Sequence, residues 1–312
     1  MLEPVILTVT LNTALDLTYT VPALAPHTAH RVTDVAERPG GKGVNVARVL
    51  AALGHEAVVT GFAGGPTGAV LRDLLAPLPV RDALVPSSDA TRRTVAVVDT
   101  ATGDATQFSE PGPVVTPAEW AAFVGTYEEL LGGAEAVALC GSLPRGIHVG
   151  AYGELVRRAR RAGVPALLDT SGEPLRRGIA ARPDLVKPNA DELAALTGSR
   201  EPLRAARDAR RRGAHAVVAS LGPDGLLAVT PDGTWSAAPP APVAGNPTGA
   251  GDSAVAGLLS ALVEGVPWPG RLARAAALAT ATVYAPAAGE FDAARYGELL
   301  DLVTVTEEAT AA

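Results

Sequence analysis

The chain has 312 residues, room for one large α/β domain or two ordinary ones, and enough to bury a substantial core. Apolar residues make up 47% and aromatics only 4%, so Ala, Val and Leu have to build that core. A formal net charge of −7 speaks against nucleic acid or an anionic membrane as the main partner and leaves any anionic ligand to a local cluster of positive groups.

Residues 5–11 alternate β-branched and apolar side chains and predict a first buried strand. The apolar stretch 1–11 has neither a basic leader nor a small-residue cleavage site, so it is not read as a signal peptide. No apolar run reaches the roughly 18–20 residues that span a bilayer. Residues 12–39, rich in Thr, Val and Pro, predict short strands and turns. Gly40-Gly41-Lys42-Gly43 opens a helix over 44–53 that is apolar almost all round, closed by Gly54. A strand over 57–62 and a helix over 68–75 follow. Residues 94–99 and 105–109 predict a hairpin around Thr102-Gly103.

Past Glu110 the rhythm changes. Thr116-Pro117-Ala118-Glu119 is a helix-opening signature, and the helix extends to about Leu131. Strands are expected at 136–140, 166–169, 185–187, 216–220 and 226–229. Helices are expected at 150–162, 190–196, 202–212, 249–262 and 271–284. Alternation of this kind predicts a mostly parallel sheet covered on both faces. The strand-rich pieces at about 12–39 and 91–110 lie outside it and are expected to form a small β layer. Residues 306–312 read as a frayed tail. The arginine-rich stretches 157–161 and 204–212 read as solvated helix faces. Cys140 is the only cysteine, so no intrachain disulfide can form. That favours a reducing, cytoplasmic setting, and at the end of an apolar strand the thiol reads as a buried filler.

Of the 26 basic residues only Lys42 and Lys187 are lysines. Both stand at Gly- or Pro-marked junctions, which points to a need for a compact ammonium at those places. The strongest chemical cluster is Thr248-Gly249-Ala250-Gly251-Asp252-Ser253 before an apolar helix. Small residues let a ligand approach the backbone, and a helix start presents free N–H groups to an anion. Asp252 beside them could take the proton of an attacking hydroxyl, or could simply complement the helix dipole. Asn12 and Asp16 follow the first strand, and could hold sugar hydroxyls or form a turn. Gly40, Gly41, Lys42 and Asn45 form a second cluster. Arg92 and Arg93 offer a guanidinium for a phosphate. Ser142 and Arg145 follow the strand ending at Cys140. Asn189 and Glu192, three residues apart after Lys187, could serve a ligand or cap a helix. Ser220, Gly222 and Gly225 fit a ligand loop or a hairpin turn. Neither a Walker A sequence nor a dinucleotide Gly-x-Gly-x-x-Gly is present in the required place.

These clusters, in this order, resemble the ribokinase/phosphofructokinase-B family of carbohydrate kinases, in the branch that holds 1-phosphofructokinases and tagatose-6-phosphate kinases. The likeness spans nearly the whole chain. It rests on Thr10-Leu11-Asn12 with Asp16, Gly40 through Ala47, Thr91-Arg92, Gly141 through Pro144, Lys187-Pro188-Asn189 with Glu192, Ser220 through Gly225, and Gly249 through Ser253. The resemblance implies a ribokinase-like three-layer α/β fold, a single kinase domain over 1–312, and a β-sheet lid often used for homodimerisation. It implies that Asp252 is the base and that Gly249, Ala250 and Gly251 form an anion hole. Asn12, Asp16, Gly40, Gly41, Asn45 and Ser142 would face the sugar, and Lys42, Arg92 and Arg145 its existing phosphate. Lys187, Asn189, Glu192, Ser220, Gly222, Gly225 and Thr248 would serve ATP, with Glu192 holding Mg²⁺ through water. The implied reaction is ATP-dependent phosphorylation of a hexose phosphate, foremost fructose 1-phosphate, with tagatose 6-phosphate or fructose 6-phosphate as alternatives. A silent sugar-phosphate-binding regulator on the same fold is the alternative of another kind; it would not need a positioned base. One departure is Thr13, where the family usually has proline.

Overall fold

The computed structural model describes residues 5–241, 243 and 245–308. The chain opens with β1 (Val5–Thr10), buried on both faces as a central parallel strand must be. It then leaves the layer for β2 (Ala14–Val21) and β3 (Asp34–Gly40), an antiparallel pair. α1 (Lys42–Ala52), β4 (Glu56–Gly64) and α2 (Gly65–Leu75) return to it, followed by short strands β5 (Val80–Asp82) and β6 (Val85–Ser87). β7 (Arg92–Asp99) and β8 (Ala105–Ser109) form the expected hairpin. α3 (Pro117–Leu131) opens with a complete Thr116–Glu119 capping box. Then come β9 (Ala134–Cys140), α4 (Ala151–Arg161), β10 (Ala166–Asp169), α5 (Gly172–Ile179), β11 (Leu185–Val186), α6 (Ala190–Thr197), α7 (Pro202–Arg211) and β12 (Ala216–Ser220). β13 (Leu226–Val229) and β14 (Thr234–Ala238) precede α8 (Ala250–Val263), α9 (Trp268–Val283), α10 (Ala293–Leu302) and β15 (Thr304–Glu307).

The large sheet has the order β15-β14-β13-β12-β11-β10-β9-β1-β4-β5, with β6 also paired to β4. It is parallel from β12 through β5 and antiparallel from β12 to β15. Strand periodicity divides its side chains between two cores. Leu7, Val9, Val137 and Leu139 face α3 to α7, while Ile6, Ala136 and Ala138 face α1, α2, α8 and α9. The second core is dense in alanine, which lets helices approach: Gly257 of α8 lies against Ala275 of α9. The three-layer architecture agrees with the sequence expectation. Separate from it stands a four-stranded sheet, β3-β2-β7-β8, hereafter the lid.

Several elements escaped the sequence reading. The 306–312 tail was expected to fray, yet Thr306 and Glu307 lie in β15, hydrogen-bonded to β14 at the sheet edge; residues 309–312 lie outside the described residues. The strand β14, the helices α5 and α10, and the short strands β5 and β6 also had no counterpart. All of these are short or peripheral, with too little periodic signal of their own and a place defined by their neighbours.

Candidate active site

Parallel strands bring their carboxyl ends to one edge. Thr10, Cys140 and Asp169 stand in register there, at the ends of β1, β9 and β10, with Lys187 following β11. α8 starts above that edge. Its N-cap, Gly249, has φ +87°, and a side chain there would also come within 2.8 Å of Ala288, so glycine is required twice over. The Ser253 amide donates to the Gly249 carbonyl at 2.9 Å, and the Ala250 amide is taken by the Pro247 carbonyl at 3.1 Å. Ala250 therefore contributes less to an anion hole than its position in the sequence promises. Thr248 is fastened by its own amide to Asn246 Oδ1 at 3.0 Å.

Asp252, in the first turn of α8, is buried, and Oδ2 accepts a 2.8 Å hydrogen bond from the Asn45 amide on α1. Burial pushes its pKa up to about 6, aided by the nearby Asp169 charge and opposed by Lys42, the Asn45 hydrogen bond and Lys187. A carboxylate so poised can accept a proton near neutral pH.

Sequence reasoning missed Asp169. Its side chain is 1% exposed, and Oδ1 meets Lys42 Nζ at 3.2 Å and Lys187 Nζ at 3.8 Å. Its Oδ2 is buried with no protein partner. The two lysines of the chain thus converge on one carboxylate. Burial pulls the Lys42 pKa down, and Asp169, Asp252 and Glu192 more than offset it, so the ammonium is held. Lys187 Nζ also lies beside Gly251, 3.4 Å from where a Cβ would stand. The available signal was positional only: an Asp at the carboxyl end of a parallel strand. Cys140, in contrast, is fully buried with its thiol pushed up by that burial, and acts as filler.

The lid supplies another side. Asp16 pairs across the lid with Arg38 and Thr94, and lies against the backbone of Gly40. Burial raises its pKa to about 6, against a Thr94 hydrogen bond and the charges of Arg92 and Arg48. Arg92 donates to the Asn12 carbonyl at 3.2 Å and to Thr94 Oγ1 at 3.2 Å. Arg93 instead pairs with Glu110 on the surface at 2.7 Å, which separates the two arginines. Asn12 donates to Ser142 Oγ at 3.1 Å, while its Oδ1 is buried against Gly112 without a hydrogen-bond partner. Thr13, the departure from proline, is buried and donates its hydroxyl to the Phe62 carbonyl, so the turn before Asp16 is anchored. Gly41 caps α1 directly before Lys42. Arg145 donates twice to the Gly112 carbonyl, at 3.2 and 2.9 Å, and Gly112 abuts Asn12. Arg145 therefore touches this cradle at one remove.

On the far side of α8's start lies a cleft of about 970 Å³, lined among others by Asn189, Ser220, Gly222, Gly225, Gly251 and Thr280. Asn189 and Glu192 form a reciprocal capping box on α6, at 2.8 and 2.9 Å, which engages one oxygen of the Glu192 carboxylate. The turn alternative at 220–225 agrees with the structure, and Ser220, Gly222 and Gly225 also line the cleft. Residues 222–224 make a one-turn connection between β12 and β13.

An apolar-walled cleft, a helix start with a buried carboxylate, and a polar cradle under a lid define a kinase acting on a small polyhydroxyl substrate. The chain matches the pfkB family of carbohydrate kinases over residues 8–293 and belongs to that family. It is 42% identical over 282 residues, 88% of each chain, to a 1-phosphofructokinase of Rhodobacter capsulatus. The tetrameric inhibited form of phosphofructokinase-2 from Escherichia coli superposes with a TM-score of 0.87 at 31% identity, over 96% of this chain and 99% of that one. A possible 1-phosphofructokinase from Thermotoga maritima superposes with a TM-score of 0.88 at 26% identity, over 98% and 100%. The protein is an ATP-dependent carbohydrate kinase.

Proposed function

We propose that the protein transfers the γ-phosphoryl group of ATP to the C6 hydroxyl of fructose 1-phosphate, giving fructose 1,6-bisphosphate and ADP, within one kinase domain over 1–312. The observation that carries the site assignment is the buried Asp252, held by Asn45 at 2.8 Å between cradle and cleft. The choice of sugar rests on the 42%-identical relative, itself named 1-phosphofructokinase. Asp252 accepts the hydroxyl proton as the oxygen attacks the γ-phosphorus and the bond to the β-phosphate oxygen breaks. The Gly249 and Gly251 amides and Lys187 face the charge gathered on the phosphoryl group. Asn12, Asp16, Gly40, Gly41, Asn45 and Ser142 hold the sugar, and Lys42 and Arg92 its phosphate. Arg145 supports Asn12 through Gly112. Asn189, Ser220, Gly222, Gly225 and Thr248 border the nucleotide.

Mg²⁺ fits this donor set. Among the described residues no group of three or more His, Cys, Asp or Glu is placed to hold a metal ion. Mg²⁺ takes one or two carboxylates plus waters and substrate phosphates. Glu192, whose second carboxylate oxygen the Asn189 capping box leaves unengaged, would hold the ion through water. Bound there, the ion would neutralise phosphate charge.

An ADP-release assay over fructose 1-phosphate, fructose 6-phosphate, tagatose 6-phosphate and free hexoses tests the reading. The highest kcat/KM is expected with fructose 1-phosphate, and turnover is expected to vanish in excess chelator. Preference for either 6-phosphate would overturn the sugar assignment, and persistence in chelator the metal.

The lid also supports pairing with a second copy. On the lid face opposite Asp16, register aligns Leu17, Tyr19, Val35, Val95, Val97 and Phe108. Phe108 is 61% and Val35 55% exposed. An apolar sheet face in water favours association. Phe108→Glu should shift the particle toward monomer in sedimentation analysis; an unchanged assembly would exclude the lid as the interface. No described helix is long and apolar enough to cross a membrane, and a cytoplasmic location accords with one unpaired cysteine.

A further inference from the structure

α1 carries Asn45, which holds the proposed base, and one turn later Arg48, which the reaction described above does not use. The Arg48 side chain is 12% exposed and grips the turn after α9 at two points. Nη1 donates to the Ala288 carbonyl at 2.9 Å, and Nη2 to Glu290 Oε1 at 2.8 Å. That turn is wedged between two parts of the site. Ala288 lies against Gly249, and Gly289, at φ +76°, has no room for a side chain between Arg48 Nη1 and Asn45 Oδ1, 2.8 and 3.1 Å from a Cβ.

Glu290 Oε1 has a second suitor. Arg38 Nε, on lid strand β3, stands 3.8 Å from the same oxygen. That contact is long and partly exposed, so on its own it contributes little. Its importance is the sharing. A carboxylate claimed by both a lid strand and α1 responds to where the lid stands. Across the lid, Arg38 is the register partner of Asp16, so the Glu290 contact and the Asp16 row sit at one level of the same pair of strands.

We propose that Arg48 and Glu290 are positioning residues. They press the 288–290 turn onto Gly249, fixing the mouth of the anion hole, and couple it to the sugar-side lid. The inference rests on the anion-hole reading above. Gly249 is a left-handed helix N-cap with no side chain of its own to anchor it, and Ala288 packs directly against it, so that packing bears on where its amide points. Arginine is suited to the task because a planar guanidinium serves a carbonyl and a carboxylate at once, which an ammonium on a flexible stem does not.

Arg48→Lys and Glu290→Gln test it, with Asp252→Asn as the control. The readouts are kcat, the Kd of fructose 1-phosphate with and without a non-hydrolysable ATP analogue, and the melting temperature. Both variants should lose about ten- to a hundred-fold in kcat, since a small misplacement of a reacting group has effects of that size. Binary sugar-phosphate Kd should stay within about two-fold, as expected when only transition-state interactions are lost. The tightening of sugar phosphate by the ATP analogue, expected in the parent protein, should disappear. Unchanged kcat and unchanged tightening in both variants, with Asp252→Asn inactive, would overturn the positioning role and leave the site reading intact. An active Asp252→Asn would sink the site reading itself. Equal losses in binary binding, turnover and melting temperature would reduce Arg48 to a brace of the fold. If Arg48→Lys does not fold, Glu290→Gln decides alone.

Discussion

Asp252→Asn is expected to lower kcat by about 10²- to 10⁴-fold, the span that a positioned general base contributes, while ATP affinity stays near that of the parent. An amide keeps the size of the carboxylate and can still accept the Asn45 hydrogen bond at the Oδ2 position, so the fold has no reason to change. The cleft proposed for the nucleotide is lined by other side chains. Near-parent turnover would remove Asp252 from the chemistry. The pH profile gives a second handle. With Asp252 raised to about 6, kcat should rise with pH through that value and then level, because the base works only when ionised. Asp16 is raised to about 6 as well, so kcat/KM, which reports free enzyme, should fall more steeply on the acid side than kcat. Stability has the opposite sign. A carboxyl whose folded pKa lies above its unfolded value of 3.8 stabilises fully below that value, and the benefit is lost as pH rises through about 6. Two pKa units correspond to about 3 kcal/mol. Asp252→Asn should therefore be more stable than the parent at pH 8, by up to about that amount, and less active. A gain of stability with a loss of turnover is the signature of a strained functional group.

Much of the fold was legible because long alternation of strands and helices admits few arrangements, and small residues gathered at strand ends and helix starts mark where a ligand meets backbone. Gly249 through Asp252 carried that signal in adjacent residues. The rarity of lysine singled out Lys42 and Lys187 without showing what they share. Asp169 was illegible for a physical reason. It ends an Ala-Leu-Leu-Asp strand, 127 residues from Lys42, and its meaning arises only when β10 lies beside β9 under α8. The arginines divided in the same way. Residue type does not separate Arg92 from Arg93, and only the resemblance singled out Arg92; alternation along β7 turns one toward Asn12 and the other toward Glu110. Arg145 looked equal to them, yet two of its guanidinium nitrogens are turned to the Gly112 carbonyl. β15 shows a different limit: Thr304–Glu307 becomes a strand because β14 offers it an edge.

Removing the Asp169 carboxylate should have the largest effect on stability of any single change at the site. Lys187 is 4% exposed, and its ion-pair partner is Asp169, 1% exposed. Breaking a buried pair by deleting one member typically costs about 3–5 kcal/mol, because the remaining charge stays buried without compensation. Asp169→Ala should lower the melting temperature by several degrees, and a change within experimental scatter would show that water replaces the carboxylate. Asp169→Leu combined with Lys187→Met removes both charges and should recover much of the loss without restoring turnover. Asp169→Asn separates charge from shape. It keeps an oxygen for Lys42 and deletes the negative charge that helps raise Asp252. Lys42 and Lys187 then act on Asp252 with less competition, so its pKa falls and the acid limb of kcat moves to lower pH. A limb that stays at about 6 in Asp169→Asn would mean that burial alone sets the base, and that Asp169 serves only to hold the two lysines in place.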